Sequence, residues 1–160
     1  MTANELLINH FYSAFQNKDY AAMQACYADD ATFTDAAFGD LNAEQVRAMW
    51  EMLCKNGKEL KLTFGKIRSD ETVVSAEWTA VYLFSKTGKM VTNNVKAEFV
   101  IKDSLIVSHR DHFDFYNWAK QAFGLTGVLI GWTGFFKNKV QSTAKGSLQA
   151  FMHKSRGTGR

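Results

Sequence analysis

Between residues 59 and 115 apolar side chains recur at every second position, and only short polar pairs interrupt them. Side chains of a strand point alternately to opposite faces, so a period of two predicts strands at 59–68, 72–85, 90–102 and 105–115. Ser69-Asp70, Thr87-Gly88 and Asp103-Ser104 separate them, all turn-forming pairs. Strands joined this tightly form an antiparallel meander. Val74, Ala76, Trp78, Ala80, Tyr82 and Phe84 share one face of the second strand; Val95, Ala97, Phe99 and Ile101 share one face of the third.

Such a face needs an apolar cover, and the residues before it supply one. Leu7, Phe11, Ala14 and Phe15 paint one side of a helix over 3–17. Asp19 is placed to cap a second, short helix through Tyr20, Met23 and Tyr27. Asn42 to Gln45 has the form of a capping box before a helix bearing Val46, Met49, Trp50 and Leu53, and Gly57 stops it. Between them the acidic turn Ala28-Asp29-Asp30 leads into a short strand with Ala31, Phe33 and Asp35 on one side. Asp35 thus stands beside an aromatic ring, although a strand-end carboxylate more often faces solvent. Helices followed by a meander give an α+β layout with helices packed on one sheet face.

Chemistry concentrates on the last strand, in His109-Arg110-Asp111-His112-Phe113-Asp114. By alternation Leu105, Val107, His109, Asp111 and Phe113 share a face, and Ile106 and Ser108 lie opposite. Apolar neighbours raise the cost of ionising a carboxylate, and an imidazole beside it can hold or pass a proton. His109 and Asp111 therefore form either an acid/base site or a structural ion pair at a sheet end.

At 160 residues, 46% apolar and 14% aromatic, the chain suits one domain with a substantial core. Cys26 and Cys54 lack metal-ligand spacing and predict free thiols in a reducing, cytoplasmic setting. No secretory signal pattern opens the chain, and no apolar run reaches the ~18 residues of a spanning helix. Nothing calls for a metal, nucleotide, flavin or other cofactor. Charge is divided unevenly: residues 1–114 hold 12 Lys+Arg against 16 acids, whereas 115–160 hold 7 Lys+Arg and none. That basic density is too low for a nucleic-acid arm.

The basic tail reads as a helix over 116–123, a glycine-spaced greasy segment over 124–134, and a last helix striped by Phe136, Val140, Ala144, Leu148 and Phe151. Such a stripe packs on its own domain or a dimer partner more often than on a membrane, so membrane-surface contact through 124–154 is the less favoured expectation. The spacing of Gly127 and Gly131 is too short-range to mark a transmembrane dimer.

Three helices, the Tyr27-Ala28-Asp29-Asp30-Ala31 turn and a meander ending in Arg110-Asp111-His112-Phe113-Asp114 resemble the SnoaL-like branch of the nuclear transport factor 2 superfamily. The resemblance spans about residues 5–118. It implies a cone: a strongly curved, mostly antiparallel sheet wrapped around N-terminal helices, with a ligand cavity at the open end and a homodimeric assembly. Residues 1–118 would be the cone domain and 119–160 a helical extension.

Function under this resemblance is carried by individual positions, because one fold hosts many activities. Asp35 falls where ketosteroid isomerases keep their proton-shuttling aspartate, but Phe11 and Ala97 occupy the positions of the two oxyanion donors. Neither can donate, which argues against steroid isomerisation. Asp111 matches one member of the limonene epoxide hydrolase triad, while the other two would fall near Trp78 and Ala80, so that triad is absent. Polyketide cyclases of this fold need an acid/base aspartate on the last strand and a shaped apolar pocket. Asp111 with His109 meets that requirement. The expectation is a pocket for a hydrophobic small molecule, walled by Phe11, Phe15, Phe33, Trp50, Trp78, Tyr82 and Phe113. Asp35, Asp111 and His109 would be its catalytic groups; the alternative is a binding module of the same fold without chemistry.

Overall fold

The computed structural model describes residues 1–158. Helix α1 (Ala3–Gln16) starts at a capping box in which Thr2 accepts from the Glu5 amide and Glu5 reaches back to the Thr2 amide. Asp19 caps α2 (Tyr20–Ala25), and Asn42 and Gln45 cap α3 (Ala43–Asn56) reciprocally, as expected from their spacing. Six strands follow the order β2-β1-β6-β5-β4-β3 in one sheet. They are β1 (Tyr27–Asp35), β2 (Gly39–Asn42), β3 (Lys58–Asp70), β4 (Val73–Phe84), β5 (Lys89–Lys102) and β6 (Leu105–His112). All neighbours pair antiparallel except β1 with β6, which run parallel. This is the α+β cone: a mixed, mostly antiparallel sheet on N-terminal helices, with an added C-terminal helical segment.

Several local expectations need correction. The residues read as an acidic turn belong to β1, which begins at Tyr27 and bulges before Thr32, leaving Asp29 outside to pair with Arg47. A short strand, β2, went unpredicted; it is a hairpin return around Ala36-Ala37-Phe38, with Gly39 in the left-handed conformation such three-residue loops demand. The β3–β4 turn is Glu71-Thr72, because Ser69 and Asp70 still pair with Val74 and Val73. Asp103 and Ser104 do form the β5–β6 turn, both at positive φ as a two-residue hairpin requires. Within β6 the register slips between Ile106 and Ser108, so one extra residue breaks the alternation. Ile106 is therefore buried on the same side as His109 and Asp111, whereas Leu105 is exposed.

The inner face of the sheet packs on α1 and α3. Phe11 sits at the centre, its ring edge-on to those of Tyr12, Tyr27, Trp50, Phe99 and His109 at 5.2–6.0 Å. Edge-to-face packing of this kind adds to the gain from burial alone.

The strand expected to reach residue 115 ends at His112, because Asp114 turns outward to cap α4 (Phe115–Phe123) through the Asn117 amide. Next come α5 (Leu125–Ile130) and α6 (Gly134–Thr158). Helix α6 lies across α3 and the β1–β2 hairpin. Its stripe is pressed inward, with Phe136 and Leu148 buried; Gln141 donates to the Ala36 carbonyl at 3.0 Å, and Arg156 pairs with Glu44. Trp118, Ala119, Ala122 and Phe136 make a second, smaller core with Val91. No helix among the described residues is long and apolar enough to cross a membrane.

Candidate functional site

A cavity of about 550 Å³ opens between the curved sheet, α3 and α6. The inward face of β4 supplies Trp78, Ala80 and Tyr82; α1 adds Phe15 and α3 adds Met49 and Trp50. The remaining wall comes from the C-terminal segment through Trp118, Phe123, Phe136 and Val140. Its charged lining is divided by sign and depth. Asp35 and Asp111 lie inside, and the exposed Lys58, Lys86 and Lys139 stand on the wall.

Parallel pairing brings the two carboxylates together. Phe33 is in register with His109 and Thr34 with Arg110, so the next step along both strands sets Asp35 beside Asp111. The β1–β2 hairpin then folds over Asp35, whose Oδ1 accepts from the amides of Ala37 at 3.0 Å and Phe38 at 2.6 Å. Burial pushes the Asp35 carboxyl up to about 7, and the charge of Asp111 adds to the rise. The two amide hydrogen bonds act in the opposite sense and do not overcome it.

Asp111 is buried and held from behind. Its Oδ1 lies 2.8 Å from Nε2 of His109, and Nδ1 of His109 lies 2.8 Å from the Tyr27 hydroxyl. That hydroxyl in turn accepts from the indole N–H of Trp50 at 2.8 Å. An indole can only donate and a carboxylate can only accept, and the two ends together set the direction of the whole chain. Trp50 donates to Tyr27, Tyr27 to Nδ1 of His109, and the Nε2–H of His109 to Asp111. Every buried polar group in this relay then has a partner, as a dry interior requires. His109 is fully buried and does not border the cavity, so its contact is with Asp111 alone on that side.

Asp35, Asp111, Phe15, Trp50, Trp78, Tyr82 and Phe113 thus converge on one cavity. Phe11 and Phe33, expected on the wall, stand behind it. Both are fully packed in the core because α1 and the β1–β6 pairing turn their rings toward Trp50 and His109. Tyr27 was not anticipated: its place at a helix end concealed a side chain that β1 directs at His109. A second unforeseen feature is the hydroxyl of Tyr82, which accepts from the Trp118 indole at 2.7 Å. Its own proton has no acceptor among the described residues, and Asp35 lies near enough to raise its pKa further beyond what burial does.

No curated protein matches the chain by sequence. Among solved structures, a hypothetical protein from Catenulispora acidiphila with a ketosteroid isomerase-like fold, in complex with trimethylamine, aligns at TM-score 0.65 and 16% identity. The alignment covers 78% of this chain and 96% of that one. TsrD from Streptomyces laurentii aligns at TM-score 0.65 and 19% identity over 77% and 96% of the two chains. An M. tuberculosis LEH-like epoxide hydrolase aligns at 0.62 and 21% over 79% and 95%. These identities speak for a shared fold rather than a shared reaction. Helices, sheet and cavity agree in this with the sequence itself: residues 8–109 match the SnoaL-like domain, and the chain belongs to that family.

Proposed function

We propose that the protein is an acid/base isomerase or cyclase acting on a hydrophobic carbonyl compound held in the cavity. The observation that carries this reading is the pair of adjacent carboxylates in one apolar chamber, with Asp35 poised near neutrality. A group whose pKa lies close to the working pH is abundant as a base and still strong enough to return the proton as an acid. In this reading the Asp35 carboxylate removes a proton from the carbon next to the carbonyl. The C–H electron pair moves into the new C=C bond while the carbonyl π pair moves onto oxygen, giving an enolate. In an isomerase the proton is then returned to carbon at a new position. In a cyclase the enolate carbon bonds to a second carbonyl carbon of the substrate, the π pair of that carbonyl moves onto its oxygen, and the proton is returned to that oxygen.

The enolate oxygen needs a donor, and Phe11 and Ala97 supply none. Tyr82 can fill that role, since it borders the cavity and its O–H is uncommitted. Accepting from the Trp118 indole makes that O–H a stronger donor. His109 is a positioning residue that fixes the Asp111 carboxylate, whose charge in turn helps hold Asp35 near neutrality. The lysines on the wall suit a substrate with an apolar body and an anionic end.

A screen of enolisable hydrophobic ketones in D2O, read by NMR, tests the proposal. Wild type should exchange the proton next to the carbonyl, and Asp35→Asn and Asp111→Asn should abolish the exchange while remaining folded. Tyr82→Phe should slow it by roughly 10²-fold or more, the usual effect of losing one oxyanion donor. Exchange undiminished in Asp111→Asn would remove that residue from the mechanism. The incomplete donor set at Phe11 and Ala97 favours a second reading, a binding module without chemistry. Ketones that bind in the cavity without exchanging would establish it.

A further inference from the structure

One large surface feature has no part in the cavity chemistry. Around α5, Leu125 is 74% exposed, Leu129 62%, Trp132 72% and Phe135 75%, with Val128 and Ile130 also in solvent. Single exposed apolar residues are ordinary, but a contiguous group of this kind marks a surface that is covered in use. The helix cannot turn these side chains inward. Gly127 faces α4 so closely that a Cβ there would lie 2.0 Å from the Ala119 carbonyl oxygen. One at Gly131 would meet the Ala119 methyl at 2.8 Å.

The backbone carries an independent mark. The last turn of a helix leaves carbonyls without intrahelical partners, and on an exposed helix water takes them. Here the protein supplies donors itself. The Val128 carbonyl accepts from the Tyr116 hydroxyl at 2.9 Å. The Leu129 carbonyl accepts from the Trp132 indole at 3.0 Å and that of Ile130 from the Thr133 hydroxyl at 2.7 Å. Thr133 also accepts from the Phe136 amide, which starts α6. Polar groups that enter an apolar medium must bring their partners with them. This segment brings partners for the carbonyls at its most exposed end.

Charge decides what that medium is. Lys89 packs against Gly124, Lys120 lies over the Tyr116 ring at 4.8 Å and Lys137 over the Phe115 ring at 6.0 Å. No acidic residue follows Asp114. A second copy meeting this patch about a two-fold axis would set lysine against lysine with no acid in the segment to relieve them. An anionic bilayer meets both the aromatic and leucine tips and the lysines around them.

We propose that α5 and its flanks, residues 124–136, dock the protein onto an anionic membrane surface. Leu125, Leu129, Trp132 and Phe135 enter the headgroup region while Lys89, Lys120 and Lys137 face the lipid phosphates. The contact is interfacial: α5 spans only about 9 Å. It also adjoins the cavity, because Phe123 and Phe136 bracket the segment, touch ring to ring at 5.1 Å and line the cavity wall. A hydrophobic ligand dissolved in the bilayer would meet the protein at that wall.

The test is co-sedimentation of the full chain with vesicles of phosphatidylcholine containing about one-third phosphatidylserine. Binding should be clear at low salt, fall several-fold near ~0.5 M salt, and be several-fold weaker on phosphatidylcholine alone. Leu129→Glu combined with Trp132→Glu, both at exposed positions, should lower the partition coefficient at least ~10-fold with an unchanged circular dichroism spectrum. Brominated lipid should quench wild-type emission and leave Trp132→Phe largely unquenched, a readout that needs no charged variant. Absence of binding at low salt, or binding unaffected by the double substitution, would overturn the proposal. So would self-association abolished by that substitution in a protein that ignores vesicles, which would assign the patch to a second copy.

Discussion

Replacing Asp35 by asparagine should stabilise the protein, and by an amount that depends on pH. In the native state the Asp35 carboxyl titrates at about 7 against an ordinary value of 3.8. Between those values the native state holds a proton that the unfolded chain has released, so stability falls as pH rises, and above pH 7 the loss is complete. Each pKa unit corresponds to ~1.4 kcal/mol, which puts the full penalty at about 4 kcal/mol. Asparagine retains the oxygen that accepts from Ala37 and Phe38. Its NH2 enters a site with no provided acceptor, costing ~1–2 kcal/mol. The net gain at pH 8 is therefore about 2–3 kcal/mol, or roughly 5–10 °C in Tm for a chain of this size. Below about pH 4 the aspartic acid is neutral in both states, and the variant should be slightly the less stable. Urea titrations of both proteins between pH 4 and 8 measure the difference directly, since carboxylates common to the two cancel. A difference constant across that range would refute the reasoning, because it would mean that no buried charge forms at Asp35.

Three further outcomes follow from the same geometry. Tyr27→Phe keeps the ring but strands the Trp50 N–H and Nδ1 of His109, and should cost about 2–4 kcal/mol in urea unfolding; a cost within experimental error would mean the relay is not formed. Asp114→Ala removes the cap of α4 and should cost ~1 kcal/mol, recovered in large part by Asp114→Ser. Gly127→Ala drives a methyl into the Ala119 carbonyl and should destabilise by ~1–3 kcal/mol, with α5 amides losing hydrogen-exchange protection first.

Much of the fold was readable because it rests on local rules. Asp19 and the Asn42–Gln45 pair announced two helices by side chains that satisfy their own first amides. Alternation in 72–85 and 90–102 fixed which residues face inward, and the sheet follows it. Alternation failed at Ile106, where a bulge inserts one residue, and bulges leave no periodic trace. The β1–β2 hairpin was missed because its second strand is short and reads as a loop. Asp35 was legible as a residue beside an aromatic, but not as a partner of Asp111, because 76 positions separate them in sequence and only the parallel pairing of β1 with β6 joins them.

The sequence alone determined the three N-terminal helices and the meander of long strands after them, the inward faces of those strands, the greasy segment at 124–134 and the absence of acid after Asp114. Periods and turn chemistry act over a few residues, and a chain displays them without folding. Tertiary structure alone decided that α6 walls the cavity, that the Trp50–Tyr27–His109–Asp111 relay closes, and that the Tyr82 hydroxyl accepts from Trp118 on the wall of the same cavity as Asp35. Those features depend on which atoms exclude water from which others. That exclusion, more than the identity of any one residue, moves the Asp35 proton toward neutrality.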